Sequence, residues 1–591
     1  MRVLLVSTNQ ERSPDPVAPL GACYVATATA AAGHDVHLLD LCFSTDVDRD
    51  VNDAITGHRP DAIGLALRNV DNCAWPDTVS YLPHYRRVVT ACRAASDAPI
   101  VLGGSAFTTM PAHYLSTLRV PYGVVGEGEV AFPALLARLG AGEDARGTAG
   151  VAAWDAASDA VAIAPPAWLP AVDRVRADRR WIDNRAYFQH GGMANVQTKR
   201  GCHFKCTFCA YPVIEGRGMR LRNPEDVAAE VRTLLDDHGI DQFFVVDSVF
   251  NAPRGHAERV CAALRPLGGR IRWSCFVTPG SFTAELLDLM IAAGCQSIDF
   301  GTDAAANTTL RAFRKSFTVD DIRAASAICR SRGFPFCHSL VFGGEGETWE
   351  TVAETIRVMD ECQPTAVTAM CGVRVYPETP LAQALVARGE VPSAEAFHAP
   401  WFHLAPAVRH GLAEVVRDAA RARQLDPPRH EGERRGNAAR AAPRPRAEGR
   451  PLALGDPAAR GPRARGTRRM TTPGAAAPFA ELAVTATAAR GVLCRTHARA
   501  LCRGHFPGDP FLPGAYVAGL MADVAAALLR AHGPTRALAE VVRCTFHRPL
   551  RPDATIEIRA AGPLPVPAGV TVDAEVRADG RLAARARLRF A

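Results

Sequence analysis

From residue 2 to about residue 140, short apolar runs alternate with stretches of helical spacing. The runs at 2–7, 34–41, 62–67, 99–104 and 122–129 read as strands, and the segments near 22–32, 49–57 and 81–95 as helices. This alternation predicts a parallel, doubly wound α/β sheet over 1–145. Residues 146–190 carry Ala, Asp, Pro and Trp without clear periodicity and read as a connecting arm. From Met193 the strand and helix repeats return, with apolar runs leading into 197–201, then at 242–250, 272–277, 297–303, 335–348 and 366–381. About six strands with helices between them predict a partial barrel over 191–420, whose chemistry belongs at the carboxyl ends of its strands. Residues 421–475 are Pro, Gly, Ala and Arg with almost no large apolar side chain, too few to bury a core, and read as a disordered linker. Residues 476–591 predict a long apolar helix near 515–532, then strands near 538–550, 555–562, 570–577 and 582–590.

At 591 residues the chain is too long for one core. Its opening, MRVLLVSTNQ, runs straight on into Gln10, Glu11 and Arg12, and reads as a first buried strand rather than a signal peptide. Nothing reads as a membrane span. The 17 cysteines are mostly scattered singly through apolar segments, which suits buried thiols in a reducing cytoplasm. Between Arg421 and Met470 lie 14 arginines and five acids, an excess that by itself exceeds the +7 of the whole chain. The remainder is nearly neutral and offers no basic footprint for nucleic acid; an Arg-rich tail binding nucleic acid is the alternative for that segment. Lysine occurs only at 199, 205 and 315, a bias that suits a GC-rich genome.

The candidate chemistry centres on Lys199-Arg-Gly-Cys-His-Phe-Lys-Cys-Thr-Phe-Cys-Ala-Tyr-Pro212, which places Cys202, Cys206 and Cys209 within eight residues. Three ligands leave an open site, whereas structural metal sites close with four. A zinc knuckle completed by His203 or a remote cysteine is the alternative. The spacing C-x3-C-x2-C, with aromatic Phe208 before the last cysteine, resembles the cluster loop of radical S-adenosylmethionine (SAM) enzymes. That resemblance implies a 4Fe-4S cluster on the three thiolates, SAM on its fourth iron, one-electron cleavage to a 5'-deoxyadenosyl radical, and a reductase or flavodoxin as electron donor. It further implies contacts to SAM from Asp247, Gly301, Gly343 and Gly344. Asp247 stands where the family commonly has G-G-E, and a helix N-cap is its alternative role. Glu347-Thr-Trp-Glu reads as a helix start.

The turns of the first sheet carry Pro19-Leu-Gly21, Gly103-Gly104-Ser105 and Gly126-Glu-Gly-Glu129. They resemble the cobalamin-binding domain that precedes the barrel in one large radical SAM class, which implies cobalamin near Gly21, Gly103, Gly104, Gly126 and Glu127. No D-x-H-x-x-G appears there, so no lower axial histidine is indicated. A flavodoxin-like domain without cofactor is the alternative. Near the other end, Gly504-His-Phe-Pro-Gly-Asp-Pro-Phe-Leu-Pro-Gly514 resembles the catalytic loop of β-hydroxyacyl-acyl-carrier-protein dehydratases. The resemblance implies a homodimeric α+β hotdog domain with His505 as the catalytic histidine. The partner acid of that family falls at Gly519 here, and Asp523, one turn on, is the nearby carboxylate that remains; a loop-capping role is the alternative for His505. Together the parts lead us to expect a cytoplasmic enzyme acting on a lipid or polyketide acyl chain, free or on an acyl carrier protein, by methyl transfer or by cyclisation or rearrangement. A radical SAM enzyme without cobalamin chemistry, whose hotdog domain only docks an acyl carrier, is the competing expectation.

Overall fold

The computed structural model describes residues 1–12, 15–172, 176–424, 479–485, 488–493, 514–530, 538–546, 550, 555–566, 569–579 and 581–590. It divides into two compact units, 1–420 and 421–591.

The first unit opens with β1 (Arg2–Ser7), β2 (Asp35–Asp40), β3 (Ala62–Ala66), β4 (Ile100–Gly103) and β5 (Tyr122–Val124), parallel in the order β2-β1-β3-β4-β5. Val3, Leu4, Leu5 and Val6 are all buried because helices cover both faces, which explains why these strands read as unbroken apolar runs. The strand order reverses between β1 and β3, and at such a switch point the chain leaves a crevice beyond the strand ends. Two further strands, β6 (Val151–Asp155) and β7 (Ala160–Ile163), extend the sheet antiparallel beside β5. The expected arm at 146–190 therefore begins with a hairpin. Its alanine-rich alternation carries too little hydrophobic contrast to announce a strand.

Six strands build the barrel: β8 (Ala194–Val196), then, after the short ribbon of β9 (Lys199–Arg200) and β10 (Arg220–Leu221), β11 (Gln242–Val245), β12 (Arg272–Val277), β13 (Cys295–Asp303), β14 (Phe336–Phe342) and β15 (Ala366–Cys371). All six are parallel, in the order β15-β14-β13-β12-β11-β8. Burial alternates strictly along β14: Phe336, His338, Leu340 and Phe342 pack outward, while Cys337, Ser339 and Val341 stay half-buried on the concave side. By the same alternation Ser274, Phe276, Ser297 and Asp299 share that concave face. Ser274 and Ser297 hydroxyls meet at 2.8 Å, and Ser339 donates to Asp299 at 3.1 Å. The helix after β14, Trp349–Cys362, starts with a capping box between Thr348 and Thr351, as the Glu347-Thr-Trp-Glu reading expects. A small ribbon of β16 (Val373–Arg374) and β17 (Phe402–His403) closes the unit. Arg374 reaches Asp71 of the first sheet's loops at 2.8 Å, fully buried.

The second unit is a six-stranded antiparallel sheet of β18 (Phe479–Val484), β19 (Ala488–Leu493), β20 (Leu538–Phe546), β21 (Ile556–Val566), β22 (Gly569–Ala578) and β23 (Arg581–Phe590), ordered β18-β19-β21-β22-β23-β20. The helix Gly514–Arg530 lays Val517, Met521, Val524 and Leu528 into its core. One long helix on an antiparallel sheet is the expected hotdog arrangement. Of the expected linker, 421–475, the first four residues finish the helix Leu412–Gln424, and the rest, with the loop of His505, lies outside the described residues. Gly519 and Asp523 fall on the central helix, four residues apart. Among the described residues no helix is long and apolar enough to cross a membrane.

Candidate active site

The three cysteines lie on an excursion, 201–219, between the paired strands β9 and β10, so the cluster-type loop is the tip of a hairpin. Gly201 opens it with φ +86°, and a Cβ there would land on the carbonyl oxygen of Gly218 on the returning limb. Only glycine permits this approach. The limbs are tied by Cys202 N–H to Gly216 O (3.1 Å) and by Glu215, whose carboxylate accepts from Gly201 N–H (3.1 Å) and from Gln197 (2.9 Å). Burial pushes Glu215 and Cys206 upward and takes Cys209 to about 12, so without a metal these two thiols keep their protons, which a bound metal would displace. Among the described residues no three His, Cys, Asp or Glu converge on one point as ligands of a single ion. A 4Fe-4S cluster binds each thiolate at a different iron, and three thiols on one loop are a donor set that fits that group.

The barrel mouth gathers around this loop. Thr207 N–H donates to Phe313 O at 3.1 Å, Thr207 O accepts from Leu381 N–H at 2.9 Å, and Phe208 meets Phe313 edge-on at 4.9 Å between centroids. The Phe313 ring fills the place that a Cβ on Gly344 would need. Gly343, at φ +98°, donates its N–H to Glu347, whose buried carboxyl is pushed up to about 7 by desolvation against the pull of the Gly343 and Gly344 amides. At the end of β13, Lys315 pairs with Asp303 and donates to the Gly301 carbonyl at 3.1 Å. Burial opposes the Lys315 charge, but Asp303 and then Cys206 outweigh it and hold it protonated. Phe208, Gly301, Gly343 and Gly344 thus converge with the cysteines.

Asp247 does something else than expected. It is fully buried, and its carboxylate accepts from Thr198 N–H (2.7 Å), Thr198 Oγ1 (2.5 Å) and Lys199 Nζ (3.0 Å). The oxygens are consumed by the strand that launches the cysteine hairpin, leaving none for a ligand. Nor does it cap the next helix, Arg254–Leu264, whose N-cap is Pro253. Glu127 is engaged likewise: its carboxylate accepts from Leu169 N–H at 2.6 Å, Arg220 at 2.7 Å and Arg200 at 3.1 Å.

In the first sheet, a Cβ on Gly21 would meet nothing within 4 Å, so the start of the helix Leu20–Ala31 opens on free space. Gly103 is nearly as open, with Val124 O at 4.0 Å. Gly104 (φ +94°) instead presses on the Leu67 backbone, and Gly126 on the Trp168 ring. Arg68 follows β3 at the switch point. It is half-buried, burial depresses its pKa, its electrostatic neighbours are Tyr211, Tyr85, Tyr187 and Cys42, and among the described residues no carboxylate pairs with it. Sequence reading missed Arg68, Lys315 and Arg200. The signal for Lys315 was present: in a chain with three lysines, two are buried against aspartates beside the cysteine hairpin.

The B12 binding domain model matches residues 11–136, the radical SAM superfamily model residues 196–359, and the ApeI dehydratase model residues 485–563. The tryptophan 2-C-methyltransferase of Streptomyces laurentii is 27% identical over 447 residues, covering 65% of this chain and 74% of that protein. The anaerobic magnesium-protoporphyrin IX monomethyl ester cyclase of Rubrivivax gelatinosus is 28% identical over 380 residues, 62% of this chain and 66% of that one. Among solved structures, the radical SAM methyltransferase TsrM from Kitasatospora setae superposes with TM-score 0.65. With cobalamin and a 4Fe-4S cluster bound it is 24% identical, covering 72% of this chain and 91% of that one. With tryptophan and a SAM analogue it is 25% identical, covering 72% and 89%.

Proposed function

We propose that this radical SAM enzyme, which joins a B12-binding domain to its barrel and carries an ApeI-type hotdog domain, methylates an unactivated carbon of a lipid or polyketide acyl chain held on an acyl carrier protein. The observation that carries the reading is the pairing, within one compact unit, of a three-thiol hairpin with open space around Gly21 and Gly103 of the first sheet's turns. When bound, the cluster and SAM supply one-electron chemistry and the methyl group, and cobalamin supplies a carrier for that methyl. Cys202, Cys206 and Cys209 would hold the cluster; the open backbone at Gly301 and the Gly343-Gly344 turn would admit SAM. Gly21 and Gly103 would line the corrin pocket. Arg68 keeps its proton and has no lone pair for cobalt, so it would face a corrin as a cation and not as a ligand.

Within the barrel, Phe276 and Val341 offer apolar walls, while Asp299, Ser339, Ser274 and Ser297 form a polar band. Burial raises the Asp299 pKa, so this carboxyl answers strongly to a donor such as a hydroxyl. An acyl chain carrying one oxygen function suits that lining and suits a dehydratase-type neighbour. Gly519, where a dehydratase acid belongs, favours a second reading of the hotdog domain as a carrier-docking module. The likeness to a cyclase makes ring closure the alternative barrel reaction. The test is anaerobic reconstitution with iron, sulfide, SAM, cobalamin and a flavodoxin or reductase system, followed by mass spectrometry of 3-hydroxyacyl and saturated acyl carrier proteins. A gain of one CH2 unit supports methylation, SAM consumption with rearranged product supports the alternative, and failure to cleave SAM with a loaded cluster sinks both.

A further inference from the structure

The feet of the cysteine hairpin are both arginines, Arg200 on β9 and Arg220 on β10, and they are cross-strand partners. Both guanidinium groups grip one carboxylate of the B12-binding domain, Glu127, at 3.1 and 2.7 Å. Arg200 also holds Glu129 at 2.6 Å, donates Nε to Gln197 at 2.9 Å, and lies 4.8 Å over the ring of Tyr24. Tyr24 belongs to the helix whose first turn opens on the crevice. All four charged side chains are almost entirely buried, with no more than 13% of any exposed. Burial alone would disfavour the Arg200 charge, but Glu129 and Glu127 outweigh it.

We propose that this four-membered ion cluster is a positioning device that sets the distance and register between the cysteine hairpin and the B12-binding domain. A buried ion cluster gains little net stability over an apolar contact of the same shape, but it tolerates few geometries. Here it joins the two feet of one loop to one turn of the other domain, so a shift of either foot strands a buried charge. The G-E-G-E turn therefore acts on the cofactor pair through Arg200 and Arg220. The inference rests on the B12-binding reading given above.

The test uses the reconstituted holoenzyme with Glu127→Gln and, as a milder change, Arg200→Lys, which keeps the charge but cannot fork to Gln197, Glu127 and Glu129 together. Iron content, cobalamin content, melting temperature and the dipolar coupling between cluster and cobalt by pulsed paramagnetic resonance are measured beside turnover. We expect both variants to retain iron and cobalamin, to show altered dipolar coupling, and to transfer at least tenfold less methyl per SAM consumed. Unchanged coupling and unchanged methyl yield per SAM would overturn the proposal while leaving the function standing. So would parallel loss of both cofactors and of stability in Arg200→Lys, which marks a merely structural contact. A wild-type protein that takes up no cobalamin overturns both.

Discussion

If Cys202, Cys206 and Cys209 hold the cluster as proposed, substituting any one by Ala should abolish the brown sulfur-to-iron absorbance of reconstituted protein; zinc in place of iron with activity intact would refute the assignment. Asp247 and Lys199 form a buried pair under the same hairpin, and breaking such a pair from one side costs about 3–5 kcal/mol. Lys199→Met should therefore lower the melting temperature and iron loading together. Glu347 makes a different prediction because its folded pKa, about 7, lies above the ordinary 4.5. Below the ordinary value both folded and unfolded chains hold the proton. As pH rises toward 7 the unfolded chain releases it first, so stability is lost through that window, by on the order of 3 kcal/mol. Glu347→Gln should flatten the fall in unfolding free energy between about pH 4.5 and about pH 7. An unchanged slope in chemical denaturation would show that another group titrates there.

Among the elements, the β9–β10 hairpin depends on the crossing of its limbs at Gly201. Gly201→Ala forces a side chain against the Gly218 carbonyl at a positive φ, a conflict of both space and backbone. Iron occupancy after reconstitution should fall several-fold, while a substitution at Gly142, also at positive φ but with open space around it, should leave loading unchanged. The helix Trp349–Cys362 is held at its start by Thr348, and Thr348→Ala should cost about 1 kcal/mol by loss of the cap. The barrel strands β8 and β11 to β14 read correctly from their apolar runs because helices cover their outer faces, whereas the edge strand β15 is exposed along almost its whole length. The β6–β7 hairpin did not, since alanines bury easily but signal weakly.

Across the whole molecule, the hotdog unit has its own core, in which the helix Gly514–Arg530 packs on the sheet, and it can be studied as the 476–591 fragment. With Gly519 in the acid's place, we expect that fragment to dimerise yet to dehydrate 3-hydroxyacyl carriers about 10²- to 10⁴-fold more slowly than a complete acid–base pair allows. Gly519→Glu should raise the rate, and Asp523→Asn should abolish what remains if Asp523 has taken over the role. Wild-type turnover at full dehydratase rates, insensitive to Asp523→Asn, would show that the acid comes from elsewhere.

Local pattern by itself determined the two α/β series, the cysteine loop, the dehydratase-type loop and the Gly-rich strand ends. Strand period, thiol spacing and turn chemistry act over a few residues and are written consecutively. The tertiary structure decided which charges meet. Glu127 finds Arg200 and Arg220 across 73 and 93 residues, and Asp247 finds Lys199 across 48. Both acids read as cofactor contacts because each stands at a strand end, where ligands gather. A buried carboxylate must be neutralised by whatever cation folding brings within reach, and that partner is set by strand order and hairpin geometry, which no short window of sequence contains.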